Sequence, residues 1–255
     1  MLEISDKWWY NSIIKIKGDF IMWNGKNKAF TFSFDDGVLQ DVRAIEIMDK
    51  YGLKGTFNLN SALIGNVRQI VTRGHTVSHS KVAPKDVKEV YKNHEVAVHT
   101  KTHPLLPSLS DAEVINEVEN DRQILSALCG YEVIGMAYPC GGENNDERVA
   151  KLIKENSGVK YSRTIKSTHN FDLQDDLYRF NPSVYFVQKE KMFELGKQFI
   201  ELKTDEPKLF YVWGHTYELD MNDPQYLLWE EFEEFCKMMS GHDDIFYGTN
   251  KEILL

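Results

Sequence analysis

Cysteine is scarce in this sequence, and long apolar runs are missing from it. The 255 residues include three cysteines, Cys129, Cys140 and Cys236, an odd and widely spaced set without a CxxC pair. This set predicts neither a zinc-binding CxxC motif nor a disulfide framework. No apolar stretch is long enough to span a membrane, and the first 20 residues lack the apolar core and cleavage site of a signal peptide. We therefore expect a cytoplasmic protein, although a secreted chain that has lost its leader has the same features.

Positive charge is also in short supply. Lysine and arginine number 30 against 39 aspartates and glutamates, which leaves a formal charge of −9. A surface that binds nucleic acid phosphates needs the opposite balance, so we expect no nucleic acid partner. The lack of a membrane span predicts no membrane partner either, and the composition leaves the oligomeric state open. The hydrophobic fraction of 42% is that of a globular protein with a sizeable core.

Short apolar runs alternate with longer amphipathic stretches along the chain. Six runs are rich in Val, Phe, Tyr or Ile, as buried strands are, and they cover residues 29–34, 54–59, 95–99, 132–138, 208–213 and 243–248. The apolar spacing between them predicts helices at 38–51, 110–130, 146–156, 190–203 and 224–240. Repeated strand–helix units predict a parallel sheet with helices outside, and the chain length favours a (β/α) barrel over an open sheet.

Two of these helices have local start signals. Ser110 with Glu113 matches a capping box, and Gly130 is placed to end the same helix as a C-cap. Pro224 follows Asp223 as a first-turn proline follows a cap. This pair predicts that the last long helix begins there.

Polar side chains follow several predicted strands, at the strand ends where (β/α) barrels carry their chemistry. In chain order these side chains are Asp35, Asp36, His99, His103, Cys140 and His215. All of them would point into one mouth of the barrel. We treat them as the candidate site.

The two histidines after the third strand have the spacing of metal ligands. His99 and His103 are four residues apart, so on one helical turn they share a face and can bind one ion. One of the adjacent carboxylates, Asp35 or Asp36, completes a site that suits zinc or another divalent first-row metal. The ion relieves the repulsion between the two carboxylates and leaves the other as a base beside the activated water. His215 is the candidate general acid.

Four segments, TFSFDDG, HTKTHP, YPCGG and WGHTYE, occur in this order along the chain. They resemble the motifs of the polysaccharide deacetylases, the NodB-homology or carbohydrate esterase family 4 group, over about residues 28–250. The resemblance implies a distorted (β/α)7 barrel that removes N-acetyl groups from amino sugars with a divalent metal, zinc first, then cobalt, nickel or manganese. We accordingly expect an N-terminal extension, 1–28, packing on the barrel, and a NodB-like deacetylase domain, 29–255.

The resemblance also implies roles for individual residues. It assigns the role of catalytic base to Asp35 and the role of metal ligands to Asp36, His99 and His103. It assigns to His215 the role of the acid that protonates the leaving amine. The peptide N–H of Cys140 matches the donor that helps to hold the oxyanion.

The third motif departs from the family pattern at two positions. The arginine that commonly orients the catalytic aspartate is replaced by Met136, and the usual tyrosine after the proline is Cys140. A backbone donor survives the second change, whereas an orienting guanidinium does not survive the first. Arg163, from the next strand, is our candidate for the missing guanidinium.

Other polar residues offer competing interpretations. His75 and His79 repeat the spacing of the metal-site histidines, but no convincing strand precedes them, so we predict a solvated loop. Glu218 either contacts the site or caps a loop, and we favour the loop. The Asp35–Asp36–Gly37 segment could be a simple turn, but the histidine motif elsewhere in the chain argues against that.

The favoured function is hydrolysis of N-acetyl groups on an N-acetylglucosamine-type oligo- or polysaccharide. One alternative is hydrolysis of another linear or cyclic C–N amide bond, which the missing motif-three arginine and the lack of a secretion signal favour. Another is a non-catalytic, metal-retaining sugar-binding protein, against which the acid–base pair argues. An iron oxygenase with two histidines and a carboxylate is disfavoured by the strand–helix alternation.

Overall fold

The computed structural model describes residues 22–255, and a curled parallel sheet lies at its centre. The strands are β1 (Lys28–Asp35), β2 (Gly55–Leu59), β3 (Gln69–Thr72), β4 (His75–Ser78), β5 (Glu95–Val98), β6 (Gly135–Ala137), β7 (Tyr161–Arg163), β8 (Val184–Tyr185), β9 (Lys208–Gly214) and β10 (Ile245–Tyr247). The main sheet has the order β7-β6-β5-β2-β1-β9-β8, and β10 also pairs with β1. β3 and β4 form a separate antiparallel hairpin.

β1 is the central strand, and all eight of its residues are buried. It pairs with β9 along one edge and with β10 and then β2 along the other, always in parallel. Burial on both faces explains its nearly continuous apolar sequence, since a parallel strand covered on both sides has no solvent-facing residues. The carboxylates of Asp35 and Asp36 therefore lie at the end of a well-fixed strand.

The sheet curls until its two edges approach each other. Arg163 of β7 forms an isolated parallel bridge with Phe180, while Val184, further along the same segment, pairs with Val212 of β9. The segment containing Phe180 and Val184 thus contacts both edge strands. This confirms the predicted distorted (β/α) barrel.

Helices cover the outside of the sheet. They are α1 (Asp41–Lys50), α2 (Val87–Val90), α3 (Asp111–Cys129), α4 (Glu147–Asn156), α5 (Lys189–Glu201), α6 (Trp229–Met239) and α7 (Asn250–Leu254). The capping box of Ser110 and Glu113 is present at α3, and Gly130 ends this helix with a φ of 78°. None of the helices in residues 22–255 has the length and apolar composition of a membrane span.

The helix start predicted at Pro224 is wrong, because α6 begins at Trp229. The Asp223 carboxylate accepts a hydrogen bond from the Gln225 N–H at 2.9 Å, which forms a turn. The Glu231 carboxylate accepts from the Leu228 N–H at 2.9 Å and so fixes the start of the helix further along the chain.

The extension predicted at residues 1–28 lies largely outside the described part of the chain. In its described part, Trp23 is buried, and its indole N–H donates to the Ile253 carbonyl oxygen at 3.1 Å. The packing of the remaining extension stays a prediction.

Candidate active site

The C-terminal ends of several strands of the main sheet open into one cavity of about 390 Å³. The side chains predicted from four separate segments line it together: Asp35, Asp36, His99, His103, Cys140 and His215. Aromatic rings complete the wall, namely Tyr138, Tyr185, Trp213 and Tyr217. The structure thus brings together residues as far apart in the sequence as Asp35 and His215. This agrees with the rule that barrels carry their chemistry at the strand ends.

Asp36, His99 and His103 form a compact group of metal-ligand types, with one ligand atom of each within 4.8 Å of the others. The His99 Nδ1 atom is 2.9 Å from the Ala137 carbonyl oxygen, which can only accept, so this nitrogen carries the proton and Nε2 is left for a ligand. Burial lowers the pKa of His99 to about 4, which keeps the imidazole neutral, as a metal ligand must be. Two imidazoles and a carboxylate fit zinc or another divalent first-row ion.

The two histidines meet through a loop, so the helical turn expected at residues 99–103 is wrong. Thr100 and His103 both have a φ of 65°, in the left-handed region. Such conformations cost energy and persist where surrounding contacts enforce them. Glu117 supplies one such contact, because its carboxylate accepts hydrogen bonds from the Thr102 N–H and hydroxyl at 2.8 Å each.

Asp35 ends β1 and is 1% exposed. The Arg163 Nη2 atom lies 2.5 and 2.6 Å from its two carboxylate oxygens, and the Asn58 amide donates to Oδ1 at 2.8 Å. Burial alone would raise the pKa of Asp35, but Arg163, His99 and His215 outweigh burial and lower it. The carboxylate is therefore ionised and fixed in direction at neutral pH.

Arg163 reaches Asp35 from β7, the strand beside the one that carries Met136. Its side chain is fully buried, and the guanidinium carbon lies 4.6 Å from the ring centre of Trp213, a cation–π distance. The contact that we expected of Arg163 is present. Its role in orienting a catalytic base stays a prediction.

The Asp36 carboxylate is held from the side by residues that follow the β3–β4 hairpin. His79 Nε2 lies 3.1 Å from Oδ2, while Lys81 Nζ lies 3.2 Å from Oδ1 and donates to the Asp36 carbonyl oxygen at 2.6 Å. Burial alone would raise the pKa of Asp36, but His79 and Lys81 hold it well below its usual range. Since His79 is 3% exposed, the solvated loop that we predicted for it is wrong.

The favoured interpretation of Glu218 as a loop residue without contact to the site is also wrong. Glu218 is 3% exposed, its Oε2 atom lies 3.3 Å from His215 Nδ1, and its Oε1 atom accepts from the Tyr185 hydroxyl at 2.5 Å. Burial alone would lower the pKa of His215, but Glu218, followed by Asp35, raises it to about 9. His215 is therefore protonated at neutral pH.

Cys140 lies at the edge of the cavity with a φ of 68°. The Asn144 amide donates to its carbonyl oxygen at 2.9 Å, which holds this backbone in place. Within residues 22–255 its own N–H makes no hydrogen bond, so it is available to a ligand. Burial raises the pKa of the thiol, so a thiolate nucleophile is disfavoured.

Sequence reasoning missed several charged or polar partners, among them His79, Lys81, Glu218 and Asn58. The sequence held a signal for the first two, because Arg73 and Gly74 separate the alternating segments QIVT and HTVS as the turn of a hairpin does. In the structure these two residues have φ of 49° and 84° and form that turn. A hairpin assigned there would have carried the following residues back toward the barrel. Glu218 had only its position three residues after the candidate acid as a signal.

A protein-family model described as polysaccharide deacetylase matches residues 24–160, more than half of the chain. The chain belongs to the polysaccharide deacetylase family. The resemblance seen in the sequence motifs is thereby confirmed. The match ends before β7, so Arg163 and His215 lie outside it. A comparison with curated proteins finds no match.

Solved structures share the fold of this family member at low sequence identity. The Bacillus cereus polysaccharide deacetylase BC0361 aligns at 20% identity and a TM-score of 0.46, over 58% of this chain and 44% of its own, so this chain spans less than half of it. BA3943 is a carbohydrate esterase family 4 pseudoenzyme from Bacillus anthracis. Its mutant with restored enzymatic activity aligns at 18% identity and a TM-score of 0.56, over 90% of this chain and 68% of its own. A family 4 carbohydrate esterase from Streptomyces lividans, in complex with acetate, aligns at 12% and 0.53, over 88% and 93%. The last two support the fold alone.

Proposed function

We propose that the protein is a metal-dependent hydrolase that removes N-acetyl groups from an amino sugar and releases acetate. One observation carries the proposal: the Asp35 carboxylate and the His215 imidazole meet in the cavity that also holds the metal-ligand group. The Asp35 Oδ2 atom lies 3.9 Å from His99 Nε2 and 4.0 Å from His215 Nε2. A base and an acid this close can serve the two proton transfers of one amide hydrolysis.

Asp36, His99 and His103 would hold the metal, with zinc as the first candidate and cobalt, nickel or manganese as alternatives. The ion would polarise the acetyl carbonyl and activate a water molecule at neutral pH. Asp36 suits this role because its low pKa leaves no proton for the metal to displace.

Asp35 would accept the proton of the attacking water. Arg163 and Asn58 occupy its carboxylate from the interior and so fix the direction in which it can accept. His215 would then donate a proton to the leaving amine, and its pKa of about 9 keeps that proton available at neutral pH. The Cys140 N–H would donate to the oxyanion that forms on the acetyl carbonyl.

A polar groove beside the cavity favours a carbohydrate substrate. The groove has a volume of about 600 Å³, and Ile165 lines both spaces. Amides and cations make up much of its lining: Asn145, Lys166, Gln174, Arg179 and Asn181. Such groups hydrogen-bond sugar hydroxyls, so an oligosaccharide could extend from the catalytic cavity into the groove.

Acetate release by zinc-loaded protein from a panel of N-acetylglucosamine mono- and oligosaccharides tests the proposal. We expect release by the wild type and a loss of about 10²- to 10⁴-fold in kcat for Asp35→Asn, at unchanged zinc content. Asp172→Asn, which neutralises an exposed carboxylate paired with Lys208, is the matched control and should keep full activity.

Equal release by wild type and Asp35→Asn would show that Asp35 is not the base. No release from any sugar, with one zinc bound per chain, would contradict sugar deacetylation. The remaining candidates would then be hydrolysis of another linear or cyclic amide and a metal-retaining sugar-binding protein.

A further inference from the structure

A second cavity lies on the other side of the metal-ligand group, beneath the β3–β4 hairpin. Its volume is about 380 Å³. It shares Asp36, His103 and Tyr217 with the catalytic cavity, so the two spaces meet at the metal-ligand group. Proton transfer by Asp35 and His215 makes no use of this second space, because neither residue lines it.

Arg68 brings a positive charge to the rim of this cavity. Its Nε–H donates to His79 Nδ1 at 3.1 Å, which leaves the proton of His79 on Nε2, facing Asp36. This bond fixes the guanidinium, while its two terminal nitrogens have no partner within residues 22–255. In the same part of the chain, no carboxylate lies within 4 Å of Arg68.

The charge of Arg68 is thus unmatched in a chain that is acidic overall. The carboxylate of Asp36 is already paired with Lys81, at 3.2 Å, so it does not neutralise Arg68. The formal charge of the whole chain is −9, and Arg68 places an exposed cation, without an ion-pair partner among the described residues, beside the candidate site. An anion is the ligand that such a charge would attract.

We propose that this second cavity is a carboxylate-binding subsite, with the terminal nitrogens of Arg68 as its donors. A guanidinium matches a carboxylate in two parallel hydrogen bonds. The apolar side chains of Leu63 and Ile70 in the same wall suit the short carbon body of a small carboxylic acid better than a phosphate, which would need more N–H donors. The ligand is either the acetate released by hydrolysis or a carboxylate substituent on the sugar, an assignment that rests on the proposed function.

Calorimetric titration of sodium acetate into the zinc-loaded protein tests the subsite without turnover. We expect Arg68→Gln to weaken the binding about ten- to a hundredfold, because it removes a charge-assisted pair of hydrogen bonds. Arg68→Lys, which keeps the charge but loses the two parallel hydrogen bonds, should weaken the binding less. Acetate held at the zinc itself is common to all variants and cancels in the comparison. Arg43→Gln removes the same charge from the exposed face of α1 and should bind acetate as the wild type does.

Two results would overturn the subsite. One is acetate affinity equal in wild type and Arg68→Gln. The other is loss of zinc from Arg68→Gln, which would show that Arg68 acts through His79 on Asp36 and not on a ligand.

Turnover distinguishes the two sources of the carboxylate. If the ligand is released acetate, Arg68→Gln raises the inhibition constant of acetate about tenfold. If it is a substituent, Arg68→Gln lowers about tenfold the ratio of kcat/KM for N-acetylmuramic acid, which carries a lactyl carboxylate, to kcat/KM for N-acetylglucosamine. If Arg68→Gln alters neither quantity, the subsite has no part in the reaction. If no sugar is turned over, the proposed function is refuted, while the calorimetric result still stands.

Discussion

Each charged side chain that would move a proton is paired with a buried group of opposite charge. Arg163 pairs with Asp35, and Glu218 pairs with His215. Removing one member of such a pair leaves the other buried and uncompensated, which costs more than the intact pair contributes. Substitutions at these residues should therefore change both stability and proton transfer.

Arg163→Met tests the first pair. We expect the free energy of unfolding to fall by about 3–5 kcal/mol, because the buried Asp35 carboxylate loses its directly bonded counter-charge. The double variant Asp35→Asn with Arg163→Met removes both charges and should recover most of that loss. Urea unfolding at pH 7 measures both effects, and a single variant as stable as the wild type would contradict the pairing.

Glu218→Gln tests the second pair through the pH dependence of kcat/KM. Activity that needs protonated His215 should fall as pH rises through about 9, the pKa of this histidine. Without the Glu218 carboxylate that pKa is lower, so the fall should begin at lower pH. The same pair stabilises the fold fully below the unfolded pKa of 6.5, and this stabilisation is lost as pH rises through about 9. A basic limb that does not move would rule out this role for Glu218.

Among the elements, the β3–β4 hairpin joins the two halves of the site. His79, directly after β4, contacts Asp36, and Arg73 at the turn lies 3.8 Å from the Glu218 carboxylate. Val77 packs in one cluster with Tyr217, so the hairpin also covers the segment that follows His215. The hairpin therefore contacts and stabilises both the metal-ligand group and the segment that carries His215.

His79→Ala should reduce zinc affinity about 10- to 100-fold, the usual effect of removing a group that orients a metal ligand. Competition against a chelating dye measures this without an activity assay. His75→Ala is the control on the same hairpin, because His75 contacts Asp223 and not the metal ligands. Equal zinc affinities in the wild type, His79→Ala and His75→Ala would show that Asp36 does not depend on His79 for its position.

Differences in strand length and burial explain which elements could be predicted from the sequence. β1 and β9 are long, buried and continuously apolar, so the strands and the polar residues at their ends were predictable. β8 has two residues, and the half-exposed hairpin offers only a weak alternation. Contacts such as Lys81 with Asp36, 45 residues apart, arise from the path of the chain between elements, which local patterns do not specify.

Across the molecule as a whole, buried carboxyl groups respond to pH in opposite directions. At the catalytic end, the pKa values of Asp35 and Asp36 are lowered, so their stabilisation is lost as pH falls below the normal range of aspartate. At the start of β5, burial raises the pKa of Glu95 to about 7. The folded state therefore holds a proton there that the unfolded state releases, and stability falls as pH rises from about 4.5 to 7.

Glu95→Gln should reduce this loss of stability. The glutamine oxygen can accept the hydrogen bonds that Glu95 accepts from the Thr56 hydroxyl and the Lys251 N–H, both at 2.9 Å, without carrying a charge. We expect the melting temperature of the variant to fall less between pH 5 and pH 8 than that of the wild type. Glu155→Gln, at an exposed position of α4, is the control, and an unchanged pH dependence in Glu95→Gln would contradict the prediction.

The guanidinium beside Asp35 comes from β7, although the family motif expects it on β6. In a parallel barrel, neighbouring strands end at the same face, so an arginine at the end of either strand can reach the same carboxylate. Surveys that discard sequences lacking the motif-three arginine would discard this chain, and an inactive label based on that position alone would be unsafe for others. Relatives with a methionine there should be sorted by whether an arginine ends the following strand.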